Sequence, residues 1–386
     1  MKKLKADIVI AGGGLAGLTL ACLLANQGLE TICIDRDDPH KQAADTFDGR
    51  TTAISYGSSQ ILTRTGVWQQ VKPHGCPIKH IDILDGASDI LLDFKAEDQP
   101  FGWIVENHFL RRALFTRAEA SKGLTWLTNE EVKDINLEKD AATIKTNAHH
   151  IEGALLVGAD GRQSFVRQAA GIRSRFKDYK QRAIVCVVEH EKPHNNIAVE
   201  HFRVEGPFAI LPCPNGPKGE NRSGIVWSVP TSSTSPKNWS EDAFNMALQA
   251  RFPARYGAVK RGGPIWEFPL TMNHAEKYTN EKNLALIADA AHGIHPLAGQ
   301  GLNIGLRDVD ALSRLLTGSD DIKIILAEYQ RMRRPDNTGM VAAMDILNGL
   351  FATDFMPTAL SRKIGLHAVN KLALAKEFFT RKAMGV

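Results

Sequence analysis

Apolar and polar positions follow three different rhythms along the chain. Ala6–Ala11 (ADIVIA) is a short, β-branched run closed by glycines, the pattern of a buried strand. Leu15–Gln27 then carries Leu, Ala and Thr at helical spacing until Gly28 stops it, and Glu30–Asp35 (ETICID) is a second short strand. Strand, helix and strand within about 30 residues make a βαβ unit, and hence a parallel sheet. Further on, Arg182–Val188, Ala198–Arg203, Phe208–Leu211 and Gly224–Val229 read as strands joined by turns rich in Gly, Pro and Asn. With no long helix between most of them, they favour an antiparallel sheet set beside the first, to which Ile78–Leu92 adds strands. Asn283–Ile287 returns to a buried strand, Gly301–Leu316 has helical spacing, and helical patterns dominate from Asp320 onward, where Met340, Met344, Leu347 and Phe351 form a stripe that reads as core. The expected fold class is α/β. A Rossmann-like nucleotide-binding domain is assembled from separated segments, a mainly antiparallel β-sheet domain is inserted between them, and the C-terminus is helical.

Composition narrows this picture only slightly. A chain of 386 residues is long for one domain and suits two interleaved ones. With 43% hydrophobic and 23% charged residues it has the make-up of a globular protein with a sizeable core. A net charge of +4, without a dense basic run or zinc-finger spacing, does not point to nucleic acid. Cys22, Cys33, Cys76, Cys186 and Cys213 form no CxxC pair, so neither a redox pair nor a zinc site is indicated, and the odd count fits a reducing compartment. Cys22 and Cys33 sit in apolar runs and read as small buried hydrophobes. The basic start, Met1–Lys5, lacks a continuous apolar h-region behind it, and no apolar stretch of about 18 residues exists, so the expectation is a cytoplasmic protein.

The chemistry is concentrated in three motifs. Gly12-x-Gly14-x-x-Gly17 follows the first strand and opens the helix. Gly12 permits the tight turn, Gly14 lets a pyrophosphate approach the backbone, and Gly17 lets the helix pack on the sheet. The helix N-terminus faces the phosphates with unpaired N–H groups, and Asp35, ending the second strand, is placed to accept from a ribose. This motif suits NAD and FAD equally. The second motif, Leu155-Val-Gly-Ala-Asp160-Gly161-Arg162, is followed by Ser164 and Arg167; taken alone it reads as readily as a plain strand-to-helix turn. The third runs Ala288-Asp289-Ala-Ala-His292-Gly-Ile-His295-Pro296-Leu-Ala-Gly299-Gln300-Gly301-Leu302-Asn303-Ile-Gly305: a buried strand, an Asp, a Gly-rich loop and a helix. That Asp can bind a ribityl hydroxyl, and a helix N-terminus there stabilises the anionic edge of a reduced flavin. His292 and His295 have the spacing of two metal ligands but no carboxylate or cysteine partner stands out, so no metal is expected.

Together these segments resemble the flavin-dependent aromatic hydroxylases of the para-hydroxybenzoate hydroxylase superfamily, and within it most closely the ubiquinone-biosynthesis hydroxylases. Four segments carry the resemblance: Asp48-Gly-Arg50-Thr-Thr-Ala-Ile-Ser55; Val105-Glu-Asn107 with Leu110 and Leu114; His295 through Asn303 to Asp308; and Arg333-Arg-Pro-Asp-Asn before a helical end near Ala383-Met-Gly385. One departure stands in the third motif, where the family has Gly before the Asp and this chain has Ala288. The resemblance implies FAD as cofactor and NAD(P)H as electron donor. It implies Gly12, Gly14, Gly17, Asp35 with Arg36 beside it, Arg50, Asn107, Asp289, Gly301, Leu302 and Asn303 at the FAD, and Asp160 and Arg162 at FAD or the nicotinamide nucleotide. Pro296, Gly299 and Gln300 would flank the reacting face of the isoalloxazine. No second GxGxxG is present, so the nicotinamide would dock on the shared surface.

The resemblance further implies segments 1–73, 106–178 and 277–320 for the FAD-binding domain, 74–105 and 179–276 for the substrate domain, and 321–386 for the C-terminal helical region. Its chemistry is a reduced flavin reacting with O2 to a C4a-hydroperoxide, attacked by an electron-rich phenol. The family's substrate is a polyprenylated phenol, with a quinone-biosynthesis complex and peripheral contact at the inner face of the membrane as further implications. At the C-terminus Ile364, Ala368, Leu372, Ala375 and Phe379 fall on one helical face, with Arg362, Lys363, Lys371, Lys376, Arg381 and Lys382 nearby and Glu377 opposing. Such a helix suits an anionic membrane surface, but packing on the body of the protein or on a partner is the favoured reading. No catalytic base is assigned; His201, His292 and His295 are candidates by residue type only. Alternatives remain a hydroxylase of small soluble aromatics and a flavin-bearing assembly subunit with little catalysis of its own. The halogenase WxWxIP signature is absent, since Trp227-Ser-Val-Pro does not match it.

Overall fold

A computed structural model describes residues 1–39, 50–86, 92–138, 140–203, 205–294, 299–351 and 373–386. Asp48 and Gly49, the loop residues His295, Pro296, Leu297 and Ala298, and the tail residues from Arg362 to Leu372 therefore lie outside the described residues.

The first strand, Lys2–Ala11, is the centre of a seven-stranded sheet. It pairs in parallel with Thr31–Ile34 on one side and with His149–Gly158 on the other. Parallel neighbours Leu124–Leu127 and Leu284–Leu286 complete this part of the sheet. An antiparallel pair, Val132–Asn136 and Ala142–Thr146, hangs from His149–Gly158. Ile8, Val9 and Ile10 are buried in succession, as both-face coverage of a parallel strand requires. The helix Leu15–Asn26 is buried from Ala16 to Leu24 because two helices pack on it, Asn107–Ala120 and Gln300–Gly318. Cys22 and Cys33 are fully buried free thiols in this core.

The second sheet has nine strands and is mainly antiparallel. Its order is His292–Gly293, Trp266–Ala275, Ser174–His190, Asn221–Pro230, Phe208–Pro212, Ile197–Phe202, His80–Asp85 and Leu92–Lys95, with Val259–Arg261 pairing Ser174–His190 at the side. Only His80–Asp85 and Ile197–Phe202 run parallel. Ser174–His190 starts well before the expected Arg182, and its register slips between Asp178 and Gln181. Charged residues fill its first half, so no apolar alternation announced it.

A small third sheet, Thr51–Ser55, Gly102–Glu106 and Gly75–Ile78, joins the two larger layers. The long helix Ile322–Phe351 lies against Gln300–Gly318, and the last helix is Ala373–Met384. Ala383 and Met384 pack on an apolar cluster with Phe94, and Lys376 pairs with Asp93 at 3.4 Å. The described part of the tail thus lies on the body of the protein. Among the described residues no helix is long and apolar enough to cross a membrane.

Candidate active site

Three glycines after the first strand are each required for a different reason. Gly12 has φ +109°, and a Cβ there would lie 2.4 Å from the Ala159 carbonyl oxygen. A Cβ on Gly17 would lie 1.9 Å from the Gly12 oxygen, so the helix seats only on glycine. At Gly14 the opposite holds: no atom lies within 4 Å of a Cβ built there. That open side faces a cleft of about 580 Å³ lined by Gly12, Gly14, Asp35, Arg36, Asp160 and Arg162. No side chain caps the helix Leu15–Asn26, so its first N–H groups and its positive end are left to a ligand.

Asp35 ends its strand in this cleft. Its Oδ1 accepts from the Asp37 N–H at 2.8 Å, and burial pushes its carboxyl above the usual range. A Cβ on Gly13 would lie 2.6 Å from Asp35 Oδ2, so a fourth glycine makes room for the acid. Arg36, highly exposed, reaches only to 4.0 Å of Asp37.

On the opposite wall Asp160 Oδ2 accepts from Val166 N–H at 3.0 Å and starts the short helix Phe165–Ala169. Among the described residues its other oxygen, buried, has no hydrogen-bond partner. Ser164 caps the same helix by accepting from the Arg167 N–H at 2.9 Å. The buried Arg167 guanidinium donates to the carbonyls of Ala290 at 2.8 Å and Arg162 at 2.9 Å. Arg162 in turn pairs with Asp289, Nε to Oδ2 3.2 Å, and lies close to Gly293, where a Cβ would be 3.1 Å from the Arg162 Nε. The second and third motifs are thus one unit in space.

Gly299, at φ +62°, precedes the helix Gln300–Gly318, and among the described residues no side chain caps this helix. A Cβ on Gly299 would sit 2.9 Å from that of Ala53, and nothing lies within 4 Å of one on Gly301. Asn303 is buried and ties this helix start to the small sheet: its Nδ2 donates to Ala53 O at 2.7 Å and to Gly299 O at 3.1 Å, and its Oδ1 accepts from Ser55 N–H at 2.9 Å. Leu302 is half-buried beside it. Asn107 is buried too; it accepts from Thr52 Oγ1 at 2.6 Å, and its N–H donates to the carbonyl of Arg50 at 3.0 Å. Arg50 itself is exposed. The side chains of Asn107 and Asn303 therefore hold the strand Thr51–Ser55, while Gly12, Gly14, Gly17, Asp35 and Asp160 gather at the cleft.

The set fits a dinucleotide: a helix end without a cap, an open glycine face, and acids on both walls, one with an orphaned buried oxygen. Residues 5–343 match the family described as an FAD binding domain. This chain belongs to the FAD-dependent monooxygenases. It is similar to ubiquinone hydroxylase UbiL of Rhodospirillum rubrum, 41% identical over 98% of this chain and 90% of that protein. It is also similar to the 3-demethoxyubiquinol 3-hydroxylase of Escherichia coli, 32% identical over 98% of each. In fold it is similar to p-nitrophenol 4-monooxygenase PnpA of Pseudomonas putida, with a TM-score of 0.78 and 15% identity over 100% of this chain and 99% of that one. The ubiquinone hydroxylases are thus this monooxygenase's own family.

Two groups in this FAD monooxygenase were given no role by the sequence. Arg167 was legible as part of a run Asp-Gly-x-x-Ser-x-x-Arg, yet one of its two carbonyl partners, Ala290, lies 123 residues away. Asp308 closed a family-like segment without any sign that it is completely buried.

Proposed function

We propose that the protein hydroxylates the aromatic ring of a polyprenylated phenol in ubiquinone biosynthesis, with O2 as oxidant and NAD(P)H as electron donor. The observation that carries this reading is the end-to-end likeness to a ubiquinone hydroxylase at 41% identity, with the dinucleotide cleft intact. Bound FAD would supply the redox chemistry between NAD(P)H and O2. The balance is ring C–H, O2, NAD(P)H and H⁺ giving ring C–OH, water and NAD(P)⁺.

The chain's own groups bind and orient. The Gly12–Gly17 turn and its helix end receive the pyrophosphate, and Asp35 accepts from the adenosine ribose. Asp160, with its orphaned buried oxygen, and Asp289, paired with Arg162, would offer carboxylates to the cofactor's hydroxyls. The uncapped start of the helix Gln300–Gly318 favours negative charge at the flavin edge next to Gly299. Ala53 lies between Gly299 and an apolar cluster that includes Ile78, Phe94, Ile104, Ala198 and Cys213. This packed core backs Ala53 and so fixes the backbone against which Gly299 sits. His201 and His292 are committed inside the protein, His201 Nε2 donating to Gly86 O at 2.7 Å and His292 paired with the buried Asp308, so neither is offered as a base. The function is a cytoplasmic one at the membrane face, where such a substrate resides.

Deleting the gene in its host and profiling isoprenoid quinones by mass spectrometry tests this reading. Accumulation of a prenyl phenol lacking one hydroxyl is expected, and its structure names the ring carbon. An unchanged profile, in a host with no second hydroxylase of this family, contradicts the reading.

A further inference from the structure

Behind the turn that carries Asp289 lies a buried polar knot that the cofactor cleft does not include. Asp308, completely buried, stands at its centre on the helix Gln300–Gly318. Its Oδ1 accepts from Arg333 Nε at 2.8 Å and from Asn337 Nδ2 at 3.1 Å. Its Oδ2 is paired with the buried His292 and accepts from the main-chain N–H of Ala288 at 3.1 Å. Arg333 is itself fixed by Asn337 at 2.7 Å and Asp336 at 2.8 Å. Burial alone raises the Asp308 pKa, but His292 and Arg333 outweigh it and hold the carboxyl down at about 2.

The residue under this carboxylate is unusual. Ala288 has φ +50°, a left-handed conformation that side chains other than glycine rarely adopt. Its methyl packs on the helix at Gly305, where a Cβ would come within 2.7 Å. Gly305 and Asp308 are three residues apart and so share a helix face. One clears space for the methyl and the other takes the N–H.

We propose that Asp308 is a positioning residue of the FAD site: it holds Ala288 in its left-handed turn and so aims Asp289, while its pairing with His292 fixes the strand that leads into the flavin-face loop. Arg333 and Asn337 act one step further back, from the helix Ile322–Phe351, by fixing Asp308. The inference rests on the FAD assignment and not on the identity of the phenol, so its readouts are flavin binding and flavin potential.

The test is a double-mutant cycle between Asp308→Asn and Ala288→Gly. FAD affinity of the reconstituted apoprotein, the midpoint potential of bound flavin and the melting temperature of the apoprotein are measured together. Asp308→Asn is expected to weaken FAD on the order of tenfold and to shift the midpoint potential. Glycine takes φ +50° without strain, so Ala288→Gly in that background is expected to recover most of the FAD affinity without recovering the melting temperature. A purely structural role predicts loss of FAD affinity only in step with the melting temperature and no rescue by glycine; that pattern, or unchanged FAD affinity in Asp308→Asn, overturns the proposal. If Asp308→Asn does not fold, Asn337→Ala loosens the same carboxylate: FAD weakened roughly threefold and restored by Ala288→Gly supports the proposal, and unchanged affinity overturns it.

Discussion

The buried guanidinium of Arg167 donates to the carbonyl of Ala290 at 2.8 Å, and with the Arg162–Asp289 pair this contact joins two loops that are more than a hundred residues apart in sequence. One loop carries Asp160, the other Asp289. Arg167→Met leaves the carbonyls of Ala290 and Arg162 without their donor, at a cost of about 1–3 kcal/mol. Thermal unfolding of the apoprotein together with FAD titration reads this out, and Arg167→Lys, which reaches one carbonyl at a time, is expected to fall between. Equal stability and affinity in all three proteins would remove Arg167 from the account.

Gly14 and Gly17 separate binding from folding. Gly14→Val places its side chain in open cleft, so the apoprotein is expected to fold with a normal circular dichroism spectrum and to retain no FAD. Gly17→Ala sets a methyl against the Gly12 carbonyl and is expected to lower yield and melting temperature. Normal FAD content in Gly14→Val contradicts the cleft assignment.

Asp35 carries a cost in stability for its place in the cleft. Burial raises its pKa in the folded apoprotein, so the native state holds this proton more tightly than the unfolded chain does. Its contribution to apoprotein stability therefore falls as pH rises from the ordinary carboxyl range through the raised folded value. Asp35→Asn is expected to unfold at higher denaturant concentration than the parent at neutral pH, with the difference fading in acid, and to bind FAD roughly tenfold more weakly. Denaturant midpoints measured across pH decide this; a destabilised Asp35→Asn apoprotein at neutral pH refutes it.

Asn303 tests the hinge between the helix start at Gly299 and the strand Thr51–Ser55. Asn303→Ala strands the buried Ser55 N–H and the Ala53 carbonyl, at about 1–3 kcal/mol for each group left unpaired. Both the melting temperature and FAD affinity are expected to drop, whereas Leu302→Ala beside it removes mainly apolar contact. An Asn303→Ala protein indistinguishable from the parent shows that this tie does not matter.

What the sequence disclosed and what it hid follow from the range of the interactions involved. The Gly12–Gly17 turn and Asp35 were legible because their chemistry is local, set by a strand, a turn and a helix within a few dozen residues. The first half of Ser174–His190 was not, because its partner, Trp266–Ala275, supplies the ordering and its own side chains are charged. Asn107 and Asn303 were expected at the FAD by resemblance; their side chains prove to bond to the protein, a fact that depends on strands and helices meeting from distant segments. Ala288 was visible as a departure from the family pattern, but only its φ of +50° and the carboxylate of Asp308 on its N–H give that departure a physical meaning.

The proposed reaction inserts one atom of O2 into a prenylated aromatic ring. The purified holoprotein, given NAD(P)H, a prenyl phenol from the deletion host and ¹⁸O2, tests it most directly. One ¹⁸O in the ring hydroxyl of the product, with NAD(P)H consumption matched to product, is the predicted result. NAD(P)H oxidation that ends in hydrogen peroxide with the phenol unchanged, or a hydroxyl carrying no label, would contradict it.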